Sequence, residues 1–271
     1  MEAAYRPYDY KWTYFSGDVL WRTRSAVLSH FLGMDNVGLC CIRISSRDEE
    51  FPIFATNKIT DKTILSSKDN ANVFPLYLYQ EYHGEMQKVP NLNTEIVKKI
   101  ASALGEETTP EDIFNYIYAV LHSPTYRDKY KEFLKIDFPR IPYPIDAETF
   151  HALAALGAQL VAIHTMKDFD EAGDVAFEDA GGREVGKVSW KDGAVYINKE
   201  SRFMGVEEAT FNQYIGGYQP LQKWLKDRKG RKLSAADISH YKRIVRALRR
   251  TAALMSEIDK LPVAGKLNDG E

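Results

Sequence analysis

The hydrophobic and polar positions follow two different patterns along the chain, and the change falls near residue 92. Up to about residue 90, short β-branched or aromatic runs alternate with polar turns, a pattern typical of strands. Three such runs are GLCCIRIS, FPIFATNKIT and NVFPLYLYQ. One helix is expected in this part, over GDVLWRTRSAVLSHFLG, with its end at Gly33. From residue 93 to 165 the apolar residues recur at helical spacing.

Two helix starts in the second part carry clear capping signals. Thr109 precedes Pro110 and two acidic residues, which predicts an N-cap, a first-turn proline and carboxylates at the positive end of the helix dipole. Ser123 and Pro124 repeat this arrangement, so a second helix is expected over SPTYRDKYKEFLKID. The run FHALAALGAQLVAIHTM predicts a third helix.

The last hundred residues return briefly to a strand pattern. Residues 183–198 alternate about the sequence Lys-Asp-Gly, which predicts a β-hairpin. From Ala235 onward, apolar residues recur at three- and four-residue spacing and predict a long helix. The other face of this helix carries five basic residues: Lys242, Arg243, Arg246, Arg249 and Arg250. We therefore expect it to dock on one side and to be strongly cationic on the other, with weak order after Leu261.

These patterns predict an α+β fold. The expected architecture is a β-rich N-terminal part with a small mixed sheet over residues 1–92, followed by a mostly helical part over residues 93–271. The hairpin near residues 183–198 interrupts the helical part, and basic helices end it. The 271 residues, of which 44% are hydrophobic, suffice for a large buried core.

Charge is distributed unevenly along the chain. The formal net charge is −2, but residues 217–250 hold eleven Lys or Arg against two Asp, a local excess of +9. Such clustering favours a surface that faces a polyanion, because attraction to phosphates depends on local charge. The alternative is a solvated helix face with scattered cations.

The compartment is expected to be the cytoplasm, without a membrane partner. The sequence has no apolar stretch long enough to span a membrane, and residues 1–12 lack the layout of a signal peptide. Cys40 and Cys41 are the only cysteines and lie in an apolar run, so we expect them to fill the core in a reducing compartment. Two thiols without a pair of histidines make a zinc site improbable.

The sequence offers little that would support catalysis. P-loop, HExxH, GxSxG and CxxC motifs are absent, and the six histidines are scattered. Asp179, Glu184 and Lys187 could be arranged as a nuclease-like metal site, although a chain with 38 carboxylates contains such triplets by chance. The N-terminal stretch YRPYDYKWTYFSGDVLWRTR interleaves basic and aromatic residues instead. This favours base reading, since Arg can form forked hydrogen bonds to guanine, but Arg stems packed along an aromatic core would give the same pattern.

Four segments together resemble a known family. They are YRPYDYKWTYF, NVFPLYLY, PEDIFNYIYAVLHSPTYRDKYKEFLKIDFPRIP and IGGYQPLQKWLKDRKGRKLSAADISHYKRIVRALRRT. In this order they resemble the C-terminal specificity region of type ISP and related type IIG restriction-modification DNA adenine methyltransferases, over about residues 5–258. The resemblance implies a fragment with no methyltransferase, helicase or nuclease motif of its own and no cofactor. S-adenosylmethionine would bind the absent upstream methyltransferase core of the same parent chain.

The resemblance implies that this fragment binds double-stranded DNA and recognises the target site while the absent core methylates a flipped adenine. We assign phosphate binding to Lys223, Lys226, Arg228, Lys229 and Arg231. We assign base reading to Arg22, Arg24, Arg43, Arg47 and Lys58. The alternative is a non-catalytic spacer or protein-interaction module that docks on the methyltransferase core.

Overall fold

A computed structural model of the protein describes residues 1–18, 23–44, 51–167 and 174–263. Strands dominate the first 90 residues and helices most of the remainder, so the predicted α+β class is confirmed. Among the described residues, none of the helices has the length and apolarity needed to cross a membrane.

The first part of the chain forms small sheets. Their strands are β1 (Glu2–Arg6), β2 (Asp9–Trp12), β3 (Gly38–Cys41), β4 (Ile53–Thr56), β5 (Ile59–Thr60) and β6 (Asn72–Pro75). The order β2-β1-β5 is a mixed sheet, because β1 pairs antiparallel with β2 and parallel with β5. The order β4-β3-β6 is antiparallel. Both faces of β3 are largely buried, which explains its continuous apolar run.

A two-stranded ribbon follows, formed by β7 (Tyr77–Tyr82) and β8 (Glu85–Pro90). The two-residue turn at His83 and Gly84 has φ values of 51° and 82°, as a tight hairpin turn requires. The sequence patterns predicted β7 but not β8. The expected helix ending at Gly33 is represented by α1 (Ser25–Leu28) and a 3₁₀ turn at Ser29–Phe31, while residues 19–22 lie outside the described residues.

The helical part begins with α2 (Thr94–Leu104), α3 (Pro110–His122), α4 (Pro124–Lys129), α5 (Lys131–Leu134) and α6 (Ala147–His164). Both capping predictions are confirmed, since Thr109 forms a full capping box and the Ser123 side chain accepts a hydrogen bond from the backbone N–H of Tyr126. The helix predicted after Ser123 is broken at Tyr130 into α4 and α5.

Helices α3 and α6 approach closely at Gly157. A Cβ atom at this position would lie 1.9 Å from the backbone oxygen of Asn115. Glycine is therefore required here by the packing of the two helices and not by its backbone conformation.

A four-stranded antiparallel sheet interrupts the helices, in the order β10-β11-β12-β9. Its strands are β9 (Ala176–Glu178), β10 (Ser189–Lys191), β11 (Ala194–Tyr196) and β12 (Arg202–Met204). The predicted hairpin is β10–β11, with Asp192 and Gly193 at positive φ in the turn. Strands β9 and β12 were not predicted.

The chain ends in α7 (Glu208–Asn212), α8 (Pro220–Lys226) and α9 (Ala235–Ile258). A capping box between Ser234 and Asp237 starts α9. This helix contacts α3, α6, α7 and α8, and nine of its side chains are buried, so it lies at the centre of the helical part.

One hydrophobic core runs through both predicted parts. Its buried members include Cys40 and Phe54 from the first part and Tyr118, Phe150 and Tyr241 from the second. The predicted division of the chain into residues 1–92 and 93–271 therefore rests on the sequence pattern alone. Both cysteines are buried free thiols, as expected, and burial raises the pKa of Cys41 to about 12.

Candidate nucleic-acid interface

The segment between α8 and α9 presents the densest group of exposed cations that the sequence analysis singled out. We call residues 226–232 the basic segment. Lys226, Lys229, Arg231 and Lys232 are all exposed on it. Three of the five predicted phosphate-binding residues are thus brought together within one short turn, joined by Lys232, which the sequence assignment had left out.

The backbone of the basic segment is held in place by the strand-like residues before β10. The N–H of Gly230 donates to the oxygen of Val185 at 2.8 Å, and the N–H of Val185 donates to the oxygen of Arg231 at 3.0 Å. Glu184 and Lys232 form an isolated antiparallel bridge. The exposed side chains therefore project from a fixed backbone and not from a loose loop.

Few of these cations are neutralised by the protein itself. Lys226 Nζ donates to the side-chain oxygen of Gln222 at 3.2 Å, which leaves its charge uncompensated. Among the described residues, no carboxylate lies within ion-pair distance of Lys229, Arg231 or Lys232. Exposed cations without an ion-pair partner are available to bind an external anion.

The segment just before α8 is tied to the connection between β5 and β6. The N–H of Gly217 donates to the oxygen of Leu65 at 2.8 Å, and the Tyr218 hydroxyl donates to the oxygen of Thr63 at 3.1 Å. Gly216 has a φ of +57°, and a Cβ there would lie 2.2 Å from the Leu65 oxygen. Glycine is needed at this position for both conformation and close approach.

Arg228 has a different role from its neighbours. Its side chain is only 13% exposed and lies 2.9 Å from Asp9, which is 3% exposed. The guanidinium also stacks 3.5 Å above the centre of the Trp224 ring and donates to the Trp224 backbone oxygen. A phosphate could reach Arg228 only if this pair opened, so we describe it as a support beneath the basic segment and not as a DNA contact.

Lys223 is also partly engaged within the chain. Its Nζ donates to the Asp227 carboxylate one helical turn later, at 2.7 Å from Oδ2, and its side chain is 32% exposed. Its charge is therefore offset locally. The assignment of Lys223 to a phosphate stays a prediction, and a weaker one than that of Lys229.

The predicted base-reading residues do not form one group. Arg24 is half-buried and donates to the oxygen of Ala71 at 2.9 Å, and Lys58 pairs with Glu2 at 2.9 Å. Arg43 pairs with Asp137 at 2.8 Å but remains 59% exposed. Arg22 and Arg47 lie outside the described residues. Of the three that the structure describes, Arg43 has the most exposed side chain, and the assignment of base reading to these residues stays a prediction.

The expected cationic face of α9 is wrong in detail, because several of its arginines bind other parts of the protein. Arg249 pairs with Asp174 at 2.8 Å and with Glu207 at 2.7 Å, and Arg250 pairs with Glu257 at 3.1 Å. The side chain of Arg243 donates to a backbone oxygen at 2.7 Å. A central helix meets neighbours on several sides, so these cations hold elements together.

The N-terminal hairpin β1–β2 lies beside the basic segment. Asp9 of β2 binds Arg228, and the backbone oxygen of Tyr8 accepts a hydrogen bond from His240 at 2.7 Å. At the other end of β2, Trp12 is 80% exposed and Tyr14 just beyond it is 72% exposed. The two sequence stretches with the densest basic and aromatic content therefore meet in space, although nothing in their spacing predicted it.

A cleft of about 870 Å³ lies between the start of β4, the end of α3 and α9, and His122 and His164 line it. Burial lowers the pKa of His164 to about 3, so it is neutral. Its Nδ1 accepts from the Tyr118 hydroxyl, and its Nε2 donates to Thr251 at 2.9 Å, because that hydroxyl donates onward to a backbone oxygen. Both ring nitrogens are engaged, which suits a core histidine and not a general base.

One member of the residue set considered for a nuclease-like site is engaged in an ion pair. Asp179 pairs with Arg183 at 2.8 Å. Within the described ranges, the structure contains no group of three or more His, Cys, Asp or Glu side chains that could hold a metal ion.

The fold is similar to that of three solved structures. One is the ATP-dependent Type ISP restriction-modification enzyme LlaBIII bound to DNA, with a TM-score of 0.76 and 15% identity, over 97% of this chain and 19% of that one. The second is a DrdV–DNA complex, with a TM-score of 0.75 and 22% identity, over 98% of this chain and 28% of that one. The third is a nuclease-deletion mutant of the Type ISP enzyme LlaGI with a DNA substrate mimic, with a TM-score of 0.73 and 16% identity, over 98% and 25%.

The chain spans only about a fifth to just over a quarter of the length of these proteins. No curated protein sequence matches it. A model of the Type ISP C-terminal specificity domain, however, matches residues 1–257. The chain therefore belongs to the family of Type ISP C-terminal specificity domains.

Proposed function

We propose that this domain binds double-stranded DNA and recognises the target site of a restriction-modification enzyme. The observation that carries the proposal is the basic segment, whose exposed cations have no ion-pair partner among the described residues and project from a backbone fixed by hydrogen bonds. Family membership and the DNA complexes of the similar structures support the same function.

The basic segment would set affinity and position by binding phosphates. Lys226, Lys229, Arg231 and Lys232 offer up to four phosphate contacts, and each neutralised phosphate contributes about −0.9 to the slope of log K against log salt. Phosphate contacts carry no sequence information directly, so sequence recognition must come from another surface.

The parent protein would be a site-specific DNA adenine methyltransferase that also restricts DNA. Its catalytic core would bind S-adenosylmethionine and the flipped adenine, while this domain holds the duplex and contributes the choice of site. The alternative, a spacer that docks on the catalytic core, is favoured by the exposed aromatic residues Trp12 and Tyr14, since such side chains are common at protein interfaces.

The test is duplex binding by the 271-residue chain across a salt series. A triple variant, Lys226→Gln, Lys229→Gln and Arg231→Gln, is compared with a charge-matched control, Lys98→Gln, Lys99→Gln and Lys131→Gln, on α2 and α5. We expect the triple variant to lower the salt slope by about 2.7 and the control to keep the wild-type slope. Equal slopes in the wild type and the triple variant would favour the spacer function.

A further inference from the structure

The ribbon β7–β8 is the most exposed regular element among the described residues. All eleven residues from 80 to 90 are exposed, although six residue pairs, from Tyr77–Pro90 to Tyr82–Glu85, keep the two strands in register. The exposed side chains include large apolar ones, since Tyr82 is 59% and Met86 54% exposed. An isolated two-stranded hairpin is only marginally stable in water, so this ribbon depends on its attachment to the body.

The base of the ribbon is fixed firmly. Buried Asn36 binds the backbone of Tyr77 twice, donating to its oxygen at 2.8 Å and accepting from its N–H at 3.1 Å. The N–H of Tyr79 donates to His30 Nδ1 at 3.1 Å, and the Tyr79 hydroxyl donates to the oxygen of Asp35 at 2.6 Å. The ribbon therefore has a fixed base and an exposed end, an arrangement suited to binding a partner. We call this ribbon the arm.

One face of the arm carries a hydrogen-bonding set. Gln80 lies directly opposite Gln87, and Tyr82 lies opposite Glu85. Residues that pair across strands, and those two apart along a strand, project from the same face. We call these four residues the reading face. The opposite face of the arm carries Glu81 and Met86 as a cross-strand pair.

The charge of the arm excludes a role in phosphate binding. Glu81 and Glu85 outnumber the one lysine, Lys88, whose Nζ lies 4.0 Å from the centre of the Tyr77 ring. Amide groups and carboxylates instead match base edges: Gln forms paired hydrogen bonds with adenine, and Glu accepts from the cytosine amine. Base contacts from the arm would supply the sequence recognition that phosphate contacts from the basic segment do not provide.

The dimensions of the arm fit the major groove. Two paired strands lie about 4.8 Å apart, and the exposed end from Gln80 to the turn extends about 14 Å at about 3.4 Å per residue. The major groove is about 12 Å wide and about 8.5 Å deep and admits a two-stranded ribbon, whereas the minor groove is about 6 Å wide.

The arm and the basic segment are linked by consecutive contacts. Asp35 at the base of the arm pairs with Lys167 at 3.7 Å, and the oxygen of Met166 accepts from Arg243 of α9 at 2.7 Å. One helical turn earlier, His240 binds the oxygen of Tyr8, beside the pair of Asp9 with Arg228 described above. These contacts connect the base of the arm to the support of the basic segment through the body of the protein.

We propose that the reading face of the β7–β8 arm enters the major groove of duplex DNA and reads base edges through Gln80 and Gln87. This inference rests on the proposed function, since it assigns the sequence-reading part of that function. It places that role on a ribbon that carries none of the arginines and lysines first considered for it.

The test compares the wild type with two double variants of the 271-residue chain. The reading-face variant is Gln80→Ala with Gln87→Ala, and the control from the opposite face is Glu81→Ala with Met86→Ala. Each protein is used to select duplexes from a library with a randomised centre, and affinities are then measured for the selected duplex and a scrambled one. Unchanged thermal midpoints show that the exposed substitutions leave the fold intact.

We expect the reading-face variant to bind the selected duplex about 5- to 140-fold more weakly for each bidentate hydrogen-bonded pair that the substitutions remove. Its affinity for the scrambled duplex and its salt slope should stay at wild-type values, and the control should keep the wild-type preference. A reading-face variant that selects the same sequence with the same affinity would overturn the proposal while DNA binding stands, and the arm would then fit a protein surface. A wild type that binds neither duplex would overturn the proposed function, and this inference with it.

Discussion

The buried pair of Arg228 and Asp9 allows a quantitative test of how the basic segment is supported. The two side chains are 13% and 3% exposed, and 2.9 Å separates Nη2 from Oδ1. The substitution Arg228→Met keeps an apolar stem against Trp224 but leaves the Asp9 carboxylate without this cation. Removing one partner of a buried pair costs about 3 to 5 kcal/mol, because an uncompensated charge stays buried. For a chain of this length, the thermal midpoint should fall by about 5 to 9 °C.

A double-mutant cycle measures the pair itself. The substitution of both residues, Asp9→Asn with Arg228→Met, removes both charges, so its loss of unfolding free energy should be below about 2 kcal/mol. The cycle is completed by the single substitution Asp9→Asn. If this substitution costs at least about 1 kcal/mol, the coupling free energy from urea unfolding at pH 7 should be at least about 2 kcal/mol.

DNA binding separates support from direct contact. At a temperature where both variants are folded, Arg228→Met should keep the wild-type salt slope, whereas Arg231→Met should lower it by about 0.9. If Arg228→Met were as stable as the wild type and lowered the slope by about 0.9, Arg228 would be a phosphate contact and its supporting role would be refuted.

Three further predictions concern buried positions. Gly157→Ala should lower the free energy of unfolding, measured in urea, by about 3 kcal/mol, because its methyl group would overlap a backbone oxygen of α3. The control is Gly17→Ala, where the space around the added methyl group is open. Equal stabilities of the two variants would contradict the close packing of α3 and α6. The pKa of His164 is about 3 when folded and about 6.5 when unfolded, so the unfolded chain binds more protons between these values and stability falls as the pH is lowered through this window. From pH 7 to pH 5 this histidine should contribute about 2 kcal/mol of that loss, and His164→Gln should show a smaller loss by this amount; an unchanged pH profile would show that the ring is not held neutral. Cys40 and Cys41, whose thiol pKa values are raised by burial, should resist a thiol reagent at pH 8 in the folded protein and react fully in urea; rapid labelling of the native protein would show that the core opens there.

Local signals in the sequence were sufficient for most helices. Thr109, Ser123 and Ser234 each accept a backbone N–H at a helix start, and the turn at Asp192 and Gly193 has the expected positive φ values. Caps and tight turns depend on residues within four positions of one another, so a single sequence carries the information.

Strands β8, β9 and β12 could not be recognised in the same way. β8 has no buried face, so its residues EMQKVP show no clean alternation of apolar and polar positions. β9 and β12 have three residues each, too short for a periodic signal. Pairing with a neighbouring strand, and not local preference, defines these strands.

The candidate site was predicted only in part, for a related reason. The sequence indicates where cations are concentrated, but whether each one faces solvent depends on partners far along the chain. Lys229 and Arg228 are neighbours with similar local sequence, yet one is exposed and the other is buried against Asp9. The arm was missed because its amides and carboxylates carry no positive charge, the property by which the reading residues were first sought.

The Asp9–Arg228 contact joins residues 219 positions apart, and this separation bears on the protein during its synthesis. On the ribosome, the N-terminal hairpin leaves the exit tunnel long before the basic segment has been translated. Until both ends have emerged and met, Arg228 lacks the buried partner that holds its side chain beneath the basic segment. A domain without the N-terminal hairpin should therefore keep the cations of the basic segment but lose this support, and the segment should be less stable in it.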